Sequence, residues 1–473
     1  MERLICLLLL LWSCMPSKSK KHSHENIVFT NGNVIDIKSK TIQKRDIYIC
    51  NGRIVDEQIG KDCSPIQIDI EGKWIMPSLV DAHVHARGQS RLDGAWLTHP
   101  NDEYIETNFD EYAPNDASHI FIQSGVTTII DVMNDETIIF PARQKHTDGA
   151  DIFCSGGAFT PTEGHGTEYG LPKTSYHIVN NPKQAVSELE KIAQHKPDFI
   201  KIFYDHRGIN GGSPVKDGEH GALGHAMRKD VMETLVQTSL MMNLRPYVHI
   251  GTWQDAKDVI EAGATIISHL GEASIIPSDI VQLAQKKNVY WIPTATLYQE
   301  LLNFAKDKSI LEDPLLKKVA KPDVIASYVN YIDKYLEADP YYKAYQDRHT
   351  GYDGQNIAAL YKAGVKLLAS TDAVELGIFI GWTIHRELKL FAEYGMSNWD
   401  VLASATINSG EFLGRNYGVN EGDEANLLIL DASPLDDIWN TTKINQVVHH
   451  GIVIKQKDLS PKLRSIKRSN KKM

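Results

Sequence analysis

The chain has 473 residues, of which 42% are hydrophobic and 23% are charged, a composition typical of a soluble globular enzyme. This length allows one large domain and one smaller domain. The formal net charge of -10 offers no general attraction to phosphate groups, so we expect no nucleic acid partner.

The first 14 residues have the pattern of an export signal. Arg3 precedes an apolar run from Leu4 to Trp12, which is followed by Ser13 and Cys14. The run is too short for a membrane-spanning helix, which takes about 20 apolar residues. It also resembles a bacterial lipobox, which would place a lipid anchor on Cys14. We therefore expect an exported bacterial protein, either a membrane-anchored lipoprotein or a periplasmic protein.

The other cysteines do not have the spacing of a zinc site. Cys50, Cys63 and Cys154 are an odd number and contain no CxxC pair. Cys50 and Cys63 lie in one short segment and could pair in an oxidising compartment. Buried thiols are an equally good interpretation, so the pairing stays open.

Two β-rich segments flank a long middle region. Residues 26–76 contain short alternating apolar stretches separated by turns such as Asn51-Gly52, and a similar pattern returns over residues 419–457. Because neither segment has enough strands to bury a core alone, we expect one small β-sandwich domain built from both. Residues 458–473 are expected to form a basic, flexible tail.

The middle region, residues 77–418, alternates apolar strands with amphipathic helices. Eight strand candidates occur at residues 79–83, 127–132, 151–155, 199–204, 246–250, 265–269, 290–294 and 366–370. This alternation predicts an α/β fold, a (β/α)8 TIM barrel with its active site at the carboxyl ends of the strands. The long connection over residues 297–364 is expected to be helical and to cover that site.

Ionisable side chains recur at the predicted strand ends, where they would meet at one mouth of the barrel. They are His83, His85, Lys201, His249, His269 and Asp372. His83 and His85 would point to the same side of an extended strand, since side chains alternate with period two. Imidazole and carboxylate groups suit zinc and related divalent ions. Any one of these residues alone is commonly structural, so their joint placement is what predicts a metal centre.

Lys201 lies within a buried apolar strand, where an unpaired ammonium group is costly. A salt bridge to a barrel carboxylate would satisfy it. Alternatively, a lysine neutral enough to react with carbon dioxide would become a carbamate, whose two oxygens could bridge two cations.

These motifs resemble those of the amidohydrolase superfamily over residues 27–454. The run from Pro77 to His85 is similar to its strand 1 motif, and the matches on strands 5, 6 and 8 are Val248-His249-Ile250, Ser268-His269 and Ser370-Thr371-Asp372. The imidazolonepropionase-related branch, which includes Xaa-Pro dipeptidase-like enzymes, resembles this chain at residues 384–388, 405–408 and 434–438. The closing Gly-x-x-Ala-Asp motif of the family ends here in Asn426 instead of aspartate.

The resemblance implies two divalent ions, expected to be zinc. His83, His85 and Asp372 would bind one ion, His249 and His269 the other, and carbamylated Lys201 would bridge them. Hydroxide formed from a shared water would attack the substrate, with Asp372 as general base and then acid. Two further residues are candidate catalytic contacts to the substrate: His165, in a glycine-rich loop, and Tyr204, at the end of strand 4.

The predicted function is hydrolysis of carbon–nitrogen bonds in a small-molecule substrate, with amides or dipeptides preferred. Hydrolysis of cyclic amides or lactones, as by an imidazolonepropionase, is the alternative. A deaminase fits less well, because deaminases of this superfamily generally use one metal without a bridging lysine. A surface binding protein that has lost turnover is the remaining possibility. Related barrels are often multimers, so a homo-oligomer is also expected.

Overall fold

The computed structural model of the protein describes residues 26–92, 109–111, 113–145, 149–209, 212–271, 273–334, 336, 351–373, 375 and 377–454. The predicted export signal with Cys14 and the basic tail lie outside these residues, as does part of the long connection. Among the helices of the described residues, none has the length and apolar character of a membrane span.

The β-rich segments form two β-sheets, and the second of them combines strands from both segments. The first sheet consists of Ile27–Thr30, Ile47–Cys50, Arg53–Val55 and Ile66–Asp69. The second consists of Asn33–Asp36, Thr41–Lys44, Trp74–Pro77, Leu427–Leu430, Ile444–His449 and Ile452–Ile454. Leu427–Leu430 pairs antiparallel with Trp74–Pro77, so the two segments share one sheet.

One apolar cluster contains side chains from both of these sheets. Phe29 and Ile49 come from the first sheet, and Val34, Ile75 and Leu427 come from the second. Each of these five side chains is fully buried. Burial of a large apolar side chain contributes about 1.5–3 kcal/mol, so this shared cluster stabilises both sheets together.

Cys50 and Cys63 form a disulfide, with their Cα atoms 6.4 Å apart. The bond joins the end of strand Ile47–Cys50 to the end of the short helix Glu57–Asp62. Cys154 is a buried free thiol. The sequence left open whether Cys50 and Cys63 form a disulfide or remain buried thiols, and in the structure they form the disulfide.

The middle of the chain forms two sheets in which all strand pairings are parallel. The first contains Leu79–Val84, Val126–Asp131 and Asp151–Cys154. The second contains Ala158–Thr160, Tyr176–Ile178, Ile200–Tyr204, Pro246–Ile250, Ile266–Ser268, Tyr290–Ile292 and Lys366–Leu367. The predicted α/β class with parallel strands is confirmed.

A few backbone hydrogen bonds link these two sheets on both sides. On one side, Asp372 N donates to His83 O at 2.9 Å and Ala82 N donates to Ala369 O at 3.1 Å. On the other side, Asp198 N donates to Cys154 O at 2.9 Å. Within the described ranges, no continuous strand ladder closes the two sheets into a barrel.

Helices pack against the strands of the parallel sheets. They are Pro114–Gln123, Glu136–Arg143, Pro182–Ala193, Lys229–Met241, Trp253–Ala262, Ser278–Lys286, Thr383–Glu393, Asn398–Ser404 and Ile407–Leu413. Ile202 and Val248 of the strands belong to the same buried cluster as Leu235 and Ile260 of the helices. The strand faces that carry Ile202 and Val248 are therefore directed toward the helices.

The described part of the long connection is mostly helical. Its helices are Ala295–Lys306, Pro314–Val319, Pro322–Lys334 and Asp353–Lys362. The Tyr328 hydroxyl lies 2.7 Å from Ser90 Oγ and accepts a hydrogen bond from Gly377 N at 3.2 Å. The connection therefore packs on the loops that follow strands Leu79–Val84 and Lys366–Leu367.

We expect the double substitution Cys50→Ser/Cys63→Ser to lower the free energy of unfolding of the small β region by about 2–3 kcal/mol, since opening a short loop returns chain entropy to the unfolded state. Urea unfolding with and without dithiothreitol measures this. The reductant should destabilise the unsubstituted protein and leave the double variant unchanged. An equal effect on both proteins would contradict the prediction.

Candidate metal centre

The alternation of side chains on strand Ile200–Tyr204 separates two environments. Ile202 and Tyr204 pack in the cluster shared with the helices. Lys201 and Phe203 point to the opposite face, where the ring of Phe203 lies 4.3 Å from that of His165 and 5.2 Å from that of His249. This face carries the histidines, so the odd-numbered residues of the strand face the candidate site.

The carboxylate of Asp372 is the centre of a first group of ligand atoms. His83 Nε2 and His85 Nε2 lie 3.3 and 3.2 Å from its Oδ1 atom. His269 Nδ1 lies 3.7 Å from its Oδ2 atom. All four side chains are buried. Two imidazole nitrogens and a carboxylate oxygen that converge in this way are a donor set suited to zinc.

The outer nitrogens of His83 and His85 are held by hydrogen bonds. The Tyr247 hydroxyl donates to Ala82 O at 3.0 Å, so it accepts the proton of His83 Nδ1 at 2.9 Å. His85 Nδ1 donates to Met133 O at 3.1 Å. Both Nε2 atoms therefore carry lone pairs directed toward Asp372, as in histidines that bind metals.

Burial keeps His83 and His269 neutral. Burial, reinforced by the charge of Lys201, lowers the pKa of His83 to about 3. Burial also lowers the pKa of His269 well below its ordinary value. His83 Nε2 has no hydrogen-bond partner among the described residues. An unprotonated nitrogen facing a carboxylate oxygen is repelled by it, and a cation between the two removes that repulsion.

A second group lies beside the first and consists of His165, Asp205 and His249, whose ligand atoms lie within 4.8 Å of one another. His249 Nε2 is 3.0 Å from Asp205 Oδ2, and the rings of His165 and His249 stack with their centroids 4.5 Å apart. The ring of His249 also lies 4.5 Å from that of His269. The two groups are therefore in contact through His249 and His269.

Asp205 is a residue that the sequence analysis missed. It lies one residue beyond the apolar run of residues 199–204, whose end marks the predicted end of the strand. Period-two alternation continued from Lys201 and Phe203 would have placed it on the site face. Arg207 Nη2 lies 2.5 Å from Asp205 Oδ2, which keeps this carboxylate ionised beside His249.

Lys201 is 1% exposed, and its ammonium group has weak partners. Its Nζ atom lies 3.5 Å from Ser268 Oγ and 5.2 Å from the ring centroids of Phe203 and Tyr247. Within the described part of the chain, Lys201 forms no salt bridge with a carboxylate, so the alternative interpretation of this lysine is not supported. Burial lowers its pKa to about 7, against the opposing charge of Asp372.

Three residues beside the site have left-handed backbone conformations although none is glycine. They are His269 with φ 72°, Thr294 with φ 49° and Asp372 with φ 58°. Such conformations cost about 1–3 kcal/mol each and are common at functional sites. Thr294 Oγ1 lies 2.8 Å from His269 Nδ1, so the strained residues also contact one another.

A buried carboxyl group aligns the strands that carry His83 and Asp372. Asp81 accepts hydrogen bonds from Thr371 N at 3.1 Å and from Thr371 Oγ1 at 2.6 Å. Thr371 immediately precedes Asp372, and Asp81 is two residues before His83. The contact between Asp81 and Thr371 therefore holds the strand ends that carry the candidate ligands His83 and Asp372 together.

The two predicted substrate contacts have different positions. His165 belongs to the second group, and its Nδ1 atom is buried without a hydrogen-bond partner in the described ranges. Tyr204 is not brought to the site. Its hydroxyl donates to Asp258 Oδ2 at 3.2 Å, on the helix Trp253–Ala262, because it occupies the helix-facing position of its strand.

We expect Tyr247→Phe to weaken metal binding by about 10- to 100-fold, because it removes the group that orients His83. Competition with a chelator measures the affinity. Tyr204→Phe is the matched control, since the same atom is removed on the other side of the sheet, and it should leave the affinity unchanged. Equal affinities in both variants would contradict this role of Tyr247.

The chain is similar to known proteins in its family motifs, in its sequence and in its fold. The model of the Amidohydrolase family matches residues 74–455. Ochratoxinase of Aspergillus niger is 21% identical over 422 residues, which cover 79% of this chain and 74% of the relative. A dihydroorotase of Carboxydothermus hydrogenoformans is 40% identical over 83 residues, and an adenine deaminase of Petrotoga mobilis is 38% identical over 60 residues. These two matches span only 18% and 10% of those relatives.

Solved structures share the fold at low sequence identity. A Xaa-Pro dipeptidase with bound methionine in its active site aligns with a TM-score of 0.65 and 19% identity, covering 91% of this chain and all of the other. Molinate hydrolase aligns with a TM-score of 0.68 and 19% identity, covering 95% of this chain and 99% of the other. With the family model matched over most of its length, this chain belongs to the amidohydrolase family, enzymes that hydrolyse carbon–nitrogen bonds.

Proposed function

We propose that the protein is a metal-dependent hydrolase of amide bonds in small molecules, with dipeptides as the preferred class. The observation that carries this proposal is the convergence of His83 Nε2 and His85 Nε2 on the buried Asp372 carboxylate. Lys201, a buried amine without a carboxylate partner among the described residues, lies beside them. A structural ion pair would not require two unprotonated imidazole nitrogens.

We infer that the parallel sheets form a (β/α)8 barrel and that the two smaller sheets form a β-sandwich. The barrel is supported by the hydrogen bonds from Asp372 to His83 and from Asp198 to Cys154, which connect the sheet edges on both sides. The sandwich is supported by the single apolar cluster that contains side chains of both smaller sheets. In a barrel of this kind, the carboxyl ends of the strands form the active site.

The donor atoms fit divalent ions, and zinc in particular. His83, His85 and Asp372 would hold one ion, and His249 with His269 the second, with Lys201 as a carbamate between them. The structure adds Asp205 and His165 beside His249. When bound, such ions lower the pKa of coordinated water and polarise the carbonyl group of the substrate.

Asp372 is the group best placed to move protons during the reaction. Its carboxylate lies at the centre of the first group and is buried, so bulk water does not compete for its proton. Asp372 would accept the proton of the attacking water and then donate it to the nitrogen of the leaving amine. Peptide and amide hydrolysis both require that second transfer, since the amine leaves poorly as an anion.

His165 is the candidate donor to the substrate carbonyl. Its Nδ1 atom lies 3.6 Å from Glu168 Oε1 without a hydrogen bond, and its ring stacks on that of His249, one of the candidate metal ligands. The Tyr204 hydroxyl is bound to Asp258 on the helix side of the sheet, so Tyr204 is not kept as a substrate contact in this proposal.

Dipeptides are preferred as substrates because of the fold shared with a Xaa-Pro dipeptidase. The alternative hypothesis, that the substrate is a cyclic amide, is supported by the local similarity to a dihydroorotase over 83 residues. A surface binding protein without turnover is the third reading, and metal-dependent cleavage of any amide would exclude it.

Export of the protein is proposed from its first 14 residues together with the disulfide Cys50–Cys63. Disulfides persist in oxidising compartments and are rare in the cytosol, so this bond favours the periplasm or the cell surface. Lipid attachment at Cys14 and a homo-oligomeric state are parts of the same proposal.

The proposed function is tested with protein purified in the presence of zinc and bicarbonate. A substrate panel contains Xaa-Pro and other dipeptides, N-acyl amino acids, and cyclic amides. We expect cleavage of dipeptides together with about two zinc ions per chain by elemental analysis. Cleavage of cyclic amides alone would transfer the proposal to that class. Metal binding without cleavage of any amide would overturn it.

Asp372→Asn should reduce turnover by about 10³-fold, because the amide cannot accept the proton of the attacking water. The zinc content should fall by less than half, since the imidazole ligands remain. The matched control is Asp258→Asn, a buried aspartate on the helix side of the sheet, which should keep most of the activity. Full activity of Asp372→Asn would contradict its assigned role.

Carbamate formation at Lys201 should depend on pH. Because burial lowers the pKa of Lys201 to about 7, the reactive neutral amine should decline by about tenfold per pH unit below that value and saturate above it. Metal-free protein with ¹³C-labelled bicarbonate would show this by carbon NMR. Lys201→Met is the control, and a carbamate signal that persists in it would contradict the assignment.

A further inference from the structure

A further cluster of possible ligand atoms lies at the amino ends of the parallel strands, apart from the two groups of the candidate active site. Asp151 is the first residue of strand Asp151–Cys154, so it lies at the amino end, away from the candidate active site. His449 ends strand Ile444–His449, and His450 begins the turn that leads to strand Ile452–Ile454. Ligand atoms of these three residues lie within 4.8 Å of one another.

Both imidazoles face the same oxygen atom. His450 Nε2 donates a hydrogen bond to Asp151 Oδ1 at 2.9 Å, and His449 Nε2 lies 3.5 Å from that oxygen. His449 is 4% exposed, and its Nε2 atom has no hydrogen-bond partner among the described residues. A buried nitrogen directed at a carboxylate without a hydrogen bond to it requires an explanation.

Asn426 determines which nitrogen of His449 carries the proton. Its Oδ1 atom accepts a hydrogen bond from the His450 backbone N at 2.8 Å, and its Nδ2 atom donates to Glu424 Oε2 at 3.2 Å. These two contacts fix the orientation of the amide. The contact of 3.1 Å between His449 Nδ1 and Asn426 Oδ1 therefore has the imidazole as donor. In the neutral ring, Nε2 then presents its lone pair to Asp151.

The same contacts account for asparagine at a position where the family motif has aspartate. An aspartate at 426 would place an oxygen, instead of an N–H group, against the carboxylate of Glu424. The amide of Asn426 satisfies both contacts, because its oxygen accepts a hydrogen bond from His449 Nδ1 and its nitrogen donates one to Glu424.

The charged groups in direct contact within the cluster are Asp151, Glu424 and Arg415. Arg415 contacts Asp151 Oδ2 at 2.9 Å and is also paired with Glu424. Two carboxylates and one guanidinium group leave a net charge of -1 when both imidazoles are neutral. Asp151 Oδ1 is the oxygen not used by Arg415, and it is the one that both histidines face.

We propose that Asp151, His449 and His450 form a further metal site, separate from the candidate active site, that binds zinc or a similar divalent cation. One carboxylate oxygen and two imidazole nitrogens are a donor set that zinc accepts, with solvent completing the coordination. A cavity of about 290 Å³ lies beside Asp151 and His450, and its charged lining also includes Arg143, Lys145 and Asp198. Bound there, the ion connects the C-terminal hairpin to the first parallel sheet.

The test compares zinc binding by full-length chains after dialysis against zinc and removal of the free ion. His449→Gln/His450→Gln should bind one zinc ion fewer per chain than the unsubstituted protein by elemental analysis. The matched control is His220→Gln/His225→Gln, another adjacent histidine pair with ring centroids 5.3 Å apart, and it should lose none. Ions at the candidate active site cancel in this difference, so the result is independent of the proposed function.

Asp151→Asn provides a second variant that retains the size of the side chain. It should weaken binding of this one zinc ion by at least about tenfold in a chelator titration, since it removes the charged oxygen ligand. If the histidine variant does not fold, this titration decides. The same zinc content and the same affinity in all variants would overturn the proposal and leave His449 as a protonated partner of Asp151.

Discussion

The burial of an aspartate among unprotonated histidines is the constraint on which the centre of this molecule depends. Charged and polar groups removed from water must be compensated, or they destabilise the fold by several kcal/mol. Around Asp372, the compensation comes from neighbours that hold each group in one protonation state and one orientation. Tyr247 and Met133 O fix the outer nitrogens of two histidines, and Asp81 fixes the strand register. The strained backbone at Asp372 is tolerated because these contacts over-determine its position.

Much of this centre could be predicted from the sequence, because strand ends are visible in the chain. His83, His85, His269 and Asp372 end apolar runs, and parallel strands bring their ends together. The prediction failed for residues whose role depends on the side of the sheet to which the side chain points, and not on where they lie along the strand. Tyr204 ends its strand but faces the helices, and the Asp205 carboxylate lies beside His249 although it lies beyond the apolar run.

Other features depend on tertiary contacts that no local pattern encodes. The pairing of Cys50 with Cys63 requires the helix Glu57–Asp62 to return the chain to the strand it left. The cluster at Asp151 joins residues about 300 positions apart, and neither a lone aspartate nor a His-His pair is distinctive by itself. The two parallel sheets also meet through a few backbone hydrogen bonds, which sequence periodicity does not reveal.

The antiparallel pairing of Trp74–Pro77 with Leu427–Leu430 has a consequence for how the protein is made. The first of these strands leaves the ribosome some 350 residues before its partner is synthesised. Until then, an apolar sheet edge has no neighbour, and closing so long a loop is a slow step in folding. The sheet that joins the two β-rich segments is therefore completed only after almost the whole chain has been synthesised, and until then its open edge is accessible to chaperones.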